Sequence, residues 1–458
     1  MPTILLLVAL LTAVESVQGQ DTPGVAASGP AATAVQPEVS AERAGPGADT
    51  EGPGSAPPEK TNERFFDLRH HERVTGEWRG VRPWLEEQGV EIALSLTAVY
   101  LHNARGGLET HHGHRITGSA DLELTFNLEQ LLGWSGAVVY LDAESTWGDD
   151  IGGDLVGNWF GVNGDAGGDE AILVRELWLE QTFWDGKARG RVGKIDLTVD
   201  FDTNAYANDE TAQFLNPALI NTGNLPVPDP GLGVQFVVQP VDWWYLGAGA
   251  GDAEADVRET GLRTALHGND YFFFVLEQGF MPVFDAPWGK LPGGYRLGLW
   301  YDPQPKWKFV SDWGGQRRSF PYERDDLGFY VSVDQVLWRE HATDDGDTQG
   351  LGVFCRYGHA AERVNEMEHF LSFGAQYEGL LPTRDEDVLG FGFAQGIVSD
   401  RLRWLERLDR EYVYECYYNI KLLPAVNLTP DFQYIVNPGA DDAGRDAFVA
   451  GLRVQISF

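Results

Sequence analysis

Ala120-Asp121-Leu122-Glu123-Leu124-Thr125-Phe126-Asn127-Leu128 decides how the rest of the chain is read. In an extended strand Leu122, Leu124, Phe126 and Leu128 share one face, and Asp121, Glu123, Thr125 and Asn127 share the other, because successive side chains point to opposite sides. One face is apolar and the other is wet. Working outward, similar segments lie near residues 90–102, 115–128, 134–147, 171–183, 188–197, 232–239, 242–251 and 270–281. The second half adds 293–302, 326–338, 349–358, 367–378, 387–398, 410–421, 425–436 and 446–458. An even set of sixteen strands, each of about ten residues, fits an all-β transmembrane antiparallel barrel, since hydrocarbon tolerates no unpaired backbone edge.

The connections point the same way. Short links such as Glu129–Gly133, Trp184–Lys187, Gln239–Val241 and Leu423–Pro424 alternate with long ones at Gly148–Glu170, Thr198–Gly231, Asp252–Asn269 and Pro303–Asp325. Short periplasmic turns and long outer loops are the asymmetry of outer-membrane barrels. Met281–Pro292 and Arg339–Thr348 are long for inner turns and break the pattern. A soluble sandwich also alternates, but Tyr100, Trp134, Trp147, Phe183, Trp184, Trp243, Trp244, Trp300, Trp338, Tyr434 and Phe458 fall near strand ends, where interfacial girdles sit. The last strand carries Phe448, Ala450, Leu452, Val454, Ile456 and Phe458 on one face, which resembles the signal that outer-membrane assembly machinery reads.

The chain has 458 residues and a net charge of −35, which excludes a nucleic-acid partner, because binding phosphate needs clustered Lys and Arg. An apolar run from Ile4 to Ala13, with Val17 and Gly19 at the −3 and −1 positions of a cleavage site, reads as a signal peptide over residues 1–19. Residues 20–62, rich in Pro, Ala and Gly, have no aromatic residue and read as a disordered linker. The barrel domain is placed at 63–458. Two cysteines, Cys355 and Cys416, give no disulfide framework and fall on the lipid-facing register.

Two stretches go beyond periodicity. Gly76-Glu77-Trp78-Arg79-Gly80-Val81-Arg82-Pro83-Trp84-Leu85-Glu86-Glu87-Gln88-Gly89-Val90 resembles the opening of the carbohydrate-selective porin (OprB) family. Val192-Gly193-Lys194-Ile195-Asp196, then Phe201-Asp202-x-Asn204-x-x-Ala207-Asn208 and Phe214-Leu215-Asn216, with Gly231-Leu232-Gly233-Val234, resemble its second landmark. The resemblance spans Phe65–Phe458. It implies a pore in the outer membrane of a Gram-negative-type bacterium, letting small carbohydrates diffuse into the periplasm, with no cofactor. It also implies a short helix at the periplasmic end, read here as Trp78–Gln88 with Trp78, Val81 and Leu85 on one face. The partners it implies are small sugars, outer-membrane lipid and the barrel assembly machinery, with a homotrimer as a further expectation.

The third outer loop is the longest, and in sixteen-stranded porins that loop commonly folds into the lumen. Its Asn204, Asn208 and Asn216 are candidates to exchange hydrogen bonds with sugar hydroxyls, and Tyr206, Phe214 and the neighbouring Trp178 are candidates for stacking. Arg115, Glu144, Glu176, Lys194 and Asp196 are the constriction candidates. The inward register also receives Asp121, Glu123, Asp142, Glu180, Asp334, Glu368, Glu415 and Asp431, with Arg453 and Lys421. An acid-rich lining repels anions, so a cation-preferring nutrient pore is the alternative, with a surface-attached glycan-active protein behind it. No Gly-x-Ser-x-Gly elbow or His-Glu-x-x-His occurs, so no enzyme is expected. His111-His112-x-His114 near His102 reads as a solvated loop, so no metal site is expected.

Overall fold

The computed structural model describes residues 71–167, 171–268, 270–308, 320–341, 348–406 and 408–458. The expected signal peptide at 1–19, the linker at 20–62 and the first residues of the barrel domain lie outside them. Sixteen long strands follow one another around a closed sheet. The first eight are β1 (Val90–Arg105), β2 (His114–Asn127), β3 (Ala137–Trp147), β4 (Ile172–Phe183), β5 (Ala188–Ile195), β6 (Gly231–Val241), β7 (Trp244–Asp252) and β8 (Phe272–Phe280). The others are β9 (Gly289–Asp302), β10 (Asp326–Arg339), β11 (Gly350–Ala360), β12 (Met367–Glu378), β13 (Val388–Val398), β14 (Arg410–Leu423), β15 (Val426–Val436) and β16 (Ala447–Ser457). Each pairs antiparallel with the next, and β1 closes on β16 with Ser95 opposite Ser457. Closure leaves no edge strand, so every backbone ladder is satisfied within the wall.

The two faces separate as the alternation requires. Along Gly350–Ala360 burial alternates residue by residue. Outward side chains such as Leu297, Phe391 and Phe432 are 41%, 49% and 48% exposed, an apolar surface that suits lipid. Cys355 and Cys416 are exposed on that face and are free thiols. Tyr100, Trp184, Trp243, Trp338 and Tyr434 are exposed as girdle residues should be. Trp300 corrects the expectation: it shares the inward register with Arg296 and Asp302, lies against Phe273 and is buried.

The inner turn at 281–292 is long because its chain folds into a small hairpin, Val283–Ala286 pairing back onto Gly289–Pro292 at the start of β9. The N-terminal helix is shorter than expected. Trp78 and Arg79 have positive φ, so the α-helix, α1, starts at Val81 and ends at Glu87. Pro83 falls in its first turn, where an amide hydrogen has no intrahelical partner to lose. Val81 is exposed, and the side chain that α1 buries is Arg82, whose Nη2 donates to the backbone oxygen of Phe458 at 2.9 Å. Gly89 follows the helix at φ 90°, the left-handed position where an added Cβ would strike Gln130.

Placing a charge at mid-wall tests which face meets hydrocarbon. Leu297→Arg should lower the stability of the barrel in liposomes by about 2–4 kcal/mol, measured by denaturant unfolding.

Candidate functional site: a lumen narrowed by an inward loop

The segment from Asp196 to Pro230, between β5 and β6, folds into the barrel, and the wall holds it at several points. It begins with a 3-10 turn, Leu197–Val199, capped by Asp196, whose Oδ1 accepts from Thr198 N at 2.8 Å and Thr198 Oγ1 at 2.7 Å. Asp202 is the hub. Its amide donates to Glu277 of β8 at 3.0 Å, and its carboxylate accepts from Thr222 N at 2.6 Å and Thr222 Oγ1 at 2.9 Å, which ties the two arms of the loop together. Arg356 of β11 places Nε 3.4 Å from Asp202 Oδ1 and donates from Nη2 to its carbonyl at 3.1 Å. Both side chains are fully buried.

Further along, Glu415 of β14 accepts from Leu215 N at 2.6 Å and Asn216 N at 2.9 Å. Arg453 of β16 donates to the carbonyls of Glu210 at 2.7 Å and Gln213 at 2.9 Å. Phe214 fills the space between, packed on Phe354 and Tyr417. Much of the inward polar register therefore serves as loop clamps rather than solvated lining. A second loop, between β3 and β4, enters above: Glu411 accepts from its Trp159 N at 2.7 Å and from Gly439 N of the β15–β16 connection at 2.6 Å, and its Leu155 and Val156 share a buried cluster with the inward-facing Val99 and Leu101.

The loop leaves open a chamber of about 690 Å³ between its tip and strands β1 to β4. Eleven acids and two arginines line it, among them Asp121, Glu123, Asp142, Glu144, Glu176 and Asp196 from the wall side and Asp209 and Glu210 from the loop tip. The acids form rows. Asp121 stands opposite Glu144, while Glu123, Asp142 and Glu176 stand opposite one another across three strands. Like charges directly opposed on a sheet are unfavourable, so stability does not explain these rows. Ser95 and Ser119 donate to Asp121 at 3.2 and 3.3 Å, Tyr140 donates to Glu123 at 3.0 Å, and Trp178 Nε1 donates to Glu176 at 3.0 Å. From the second loop Asp165 adds a carboxyl that burial pushes well above the ordinary carboxylate range.

Of the constriction candidates, Glu144, Glu176 and Asp196 come together in this chamber. Arg115 keeps the inward parity of Thr117 and Ser119 but lies at the outer end of β2, where it donates to the His114 carbonyl at 3.1 Å. Lys194 is a correction. It stands opposite Leu177 and Leu232 on the outward register of β5, shared with the exposed Val192, and its ammonium donates to the carbonyls of Val257 and Glu259 at 2.6 and 2.7 Å. It braces an outer loop.

None of the expected sugar contacts lines the chamber. Asn204 donates to Ser332 and Val333, Asn208 accepts from Arg356, and Asn216 bridges Gly161 and Gln433. The Tyr206 carbonyl accepts from Gln376, and Phe214 is wholly buried. Trp178 is 6% exposed, covered by the Tyr140 ring at 4.8 Å and the Arg191 guanidinium at 3.9 Å. These side chains build the loop and its seat.

Sequence reading missed Arg175, which pairs with Glu144 at 2.8 Å. The β3–β4 ladder slips between Asp142 and Ala143, so Arg175 and Glu176 both turn inward. Two successive charged residues inside an alternating strand were the available signal. Asp202 and Arg356 were also missed, although Asp202 belongs to the quoted motif.

The profile of the carbohydrate-selective porin, OprB family matches residues 111–458. The chain belongs to that family. Porin B of Pseudomonas aeruginosa is 25% identical over 424 residues, covering 84% of this chain and 91% of that one. Putative porin QuiX of Acinetobacter baylyi is 23% identical and covers 84% and 93%. The high-pH structure of Pseudomonas putida OprB, 22% identical, shares the fold with a TM-score of 0.76 over 86% of this chain and 100% of that one. This OprB-family member is thus a porin of the Gram-negative outer membrane, with the loop and the chamber inside its barrel.

Arg356→Ala strands the buried Asp202 carboxylate without its cation. The loss expected in equilibrium unfolding is about 3–5 kcal/mol, and single-channel conductance should rise as the loop leaves its seat.

Proposed function

We propose that this porin passes small neutral carbohydrates by diffusion through the gap between the loop tip and the acidic rows, admits small cations, and turns anions away. The observation that carries the reading is the chamber itself: about 690 Å³, lined by eleven acids against two arginines. A carboxylate accepts hydrogen bonds from sugar hydroxyls, and charge assistance makes those bonds short and strong. The same carboxylates exclude sugar phosphates and other anions. Conduction needs binding weak enough to release the solute, and the half-buried acids Asp121, Glu123 and Asp142 provide neighbouring acceptor sites.

No catalytic role is assigned to the paired acids. Glu144 is held by Arg175 and Glu176 by Trp178 and the Asp196 amide, so these carboxylates are already engaged within the wall. In this reading lipid surrounds the apolar wall, the assembly machinery receives the last strand, and the barrels associate as trimers, which native mass measurement in mild detergent checks.

Liposomes carrying the porin should swell in solutions of neutral mono- and disaccharides and not in a sugar phosphate of similar size. A failure to swell in any neutral sugar would remove the proposal. Replacing Asp121, Glu123 and Asp142 together by their amides should bring the cation-to-anion permeability ratio, read from reversal potentials in planar bilayers, toward unity.

A further inference from the structure

Outside the lumen, a cluster that the pore does not use sits where β11 and β12 meet the outer rim. His359 and His369 stand directly opposite each other in the ladder, on the face that also carries the exposed Cys355 and Phe373. Their rings lie 5.0 Å apart between centroids. Glu368 sits where the β12–β13 ladder slips between Met367 and His369, and the irregularity brings its Oε1 to 3.4 Å from His369 Nε2. One possible ligand atom from each of His359, Glu368 and His369 lies within 4.8 Å of the other two.

Two further observations point to an ion. The Tyr357 hydroxyl meets His369 Nδ1 at 2.9 Å, the kind of outer contact that orients a metal-binding imidazole through its other nitrogen. His359 Nδ1 is buried and has no hydrogen-bond partner among the described residues, a costly state for a polar atom. Around the cluster, Phe329 packs on the His359 ring at 5.6 Å, and Glu362 and Asp400 form an overlapping group with Glu368.

We propose that His359, Glu368 and His369 form a site for one divalent transition-metal ion of the zinc class. Two imidazoles and a carboxylate suit zinc, whereas calcium and magnesium prefer oxygen ligands throughout. Bonds of about 2.0–2.2 Å in a tetrahedral arrangement place ligand atoms about 3.3 Å apart, and the Glu368–His369 separation already matches. The carbonyl of Glu368 accepts from Asn224 Nδ2 at 3.1 Å, so an ion here fastens the rim to the loop that narrows the pore.

The test uses the untagged, folded barrel in detergent, stripped by a chelator and titrated calorimetrically with zinc and, separately, with calcium. One equivalent of zinc should bind, calcium should not compete on equal terms, and His359→Asn and His369→Asn should each weaken zinc binding by about tenfold or more. A triple His111→Ala, His112→Ala, His114→Ala variant should bind as the parent does. The X-ray absorption spectrum of the zinc-loaded parent, which needs no substitution, should show imidazole ligation. No zinc binding, binding that survives both single substitutions, equal competition by calcium, or a spectrum without imidazole would each overturn the site.

Discussion

The contact between Arg356 and Asp202 holds the inside of the barrel in its working shape. A wall of sixteen strands is stable through its own ladders, but its bore is wide enough to be nonselective until something fills it. Asp202 fills that need by meeting the wall on two sides, through Glu277 and Arg356, while its carboxylate holds Thr222 from the returning arm of the same loop. Both charged groups are out of water, so each is tolerable only in the presence of the other. The loop is therefore committed to one position, and the chamber beside it has a definite size.

From that constraint follows a division of labour around the wall. Strands β8 to β16 give their inward polar groups to docking: Glu277, Arg356, Glu411, Glu415 and Arg453 each end on loop backbone. Strands β1 to β4 face the loop tip across open space and carry the acids in opposed rows. Repulsion within those rows is a cost to the fold, and under the proposed path that cost falls beside the route of the solute, which links it to selectivity. Arg175 offsets part of it by pairing with Glu144.

The alternation in Ala120–Leu128 and its fifteen counterparts located every barrel strand to within a few residues, because a wall with lipid on one side and polar contents on the other imposes a period of two on each crossing. The closing strand, the loop lengths and the family were legible for the same reason or from local motifs. Individual sites were less so. Lys194 sits in a motif yet points outward, and Asn204, Asn208 and Asn216 have the chemistry of sugar ligands yet spend it on the wall. Trp300 sits near a strand end like a girdle residue but faces in.

What the sequence by itself determined was the barrel, its strand count, the acid excess of its inner face and the loop long enough to enter it. These depend on periodicity and composition, which are properties of neighbours along the chain. Only the tertiary structure decided which acids line the chamber and which clamp the loop, since Glu123 and Glu415 look alike in their strands and differ in what lies across the bore. It also decided that Arg175 turns inward, because a one-residue slip in the ladder depends on the partner strand, and that Asp202 meets Arg356 across 154 residues of chain.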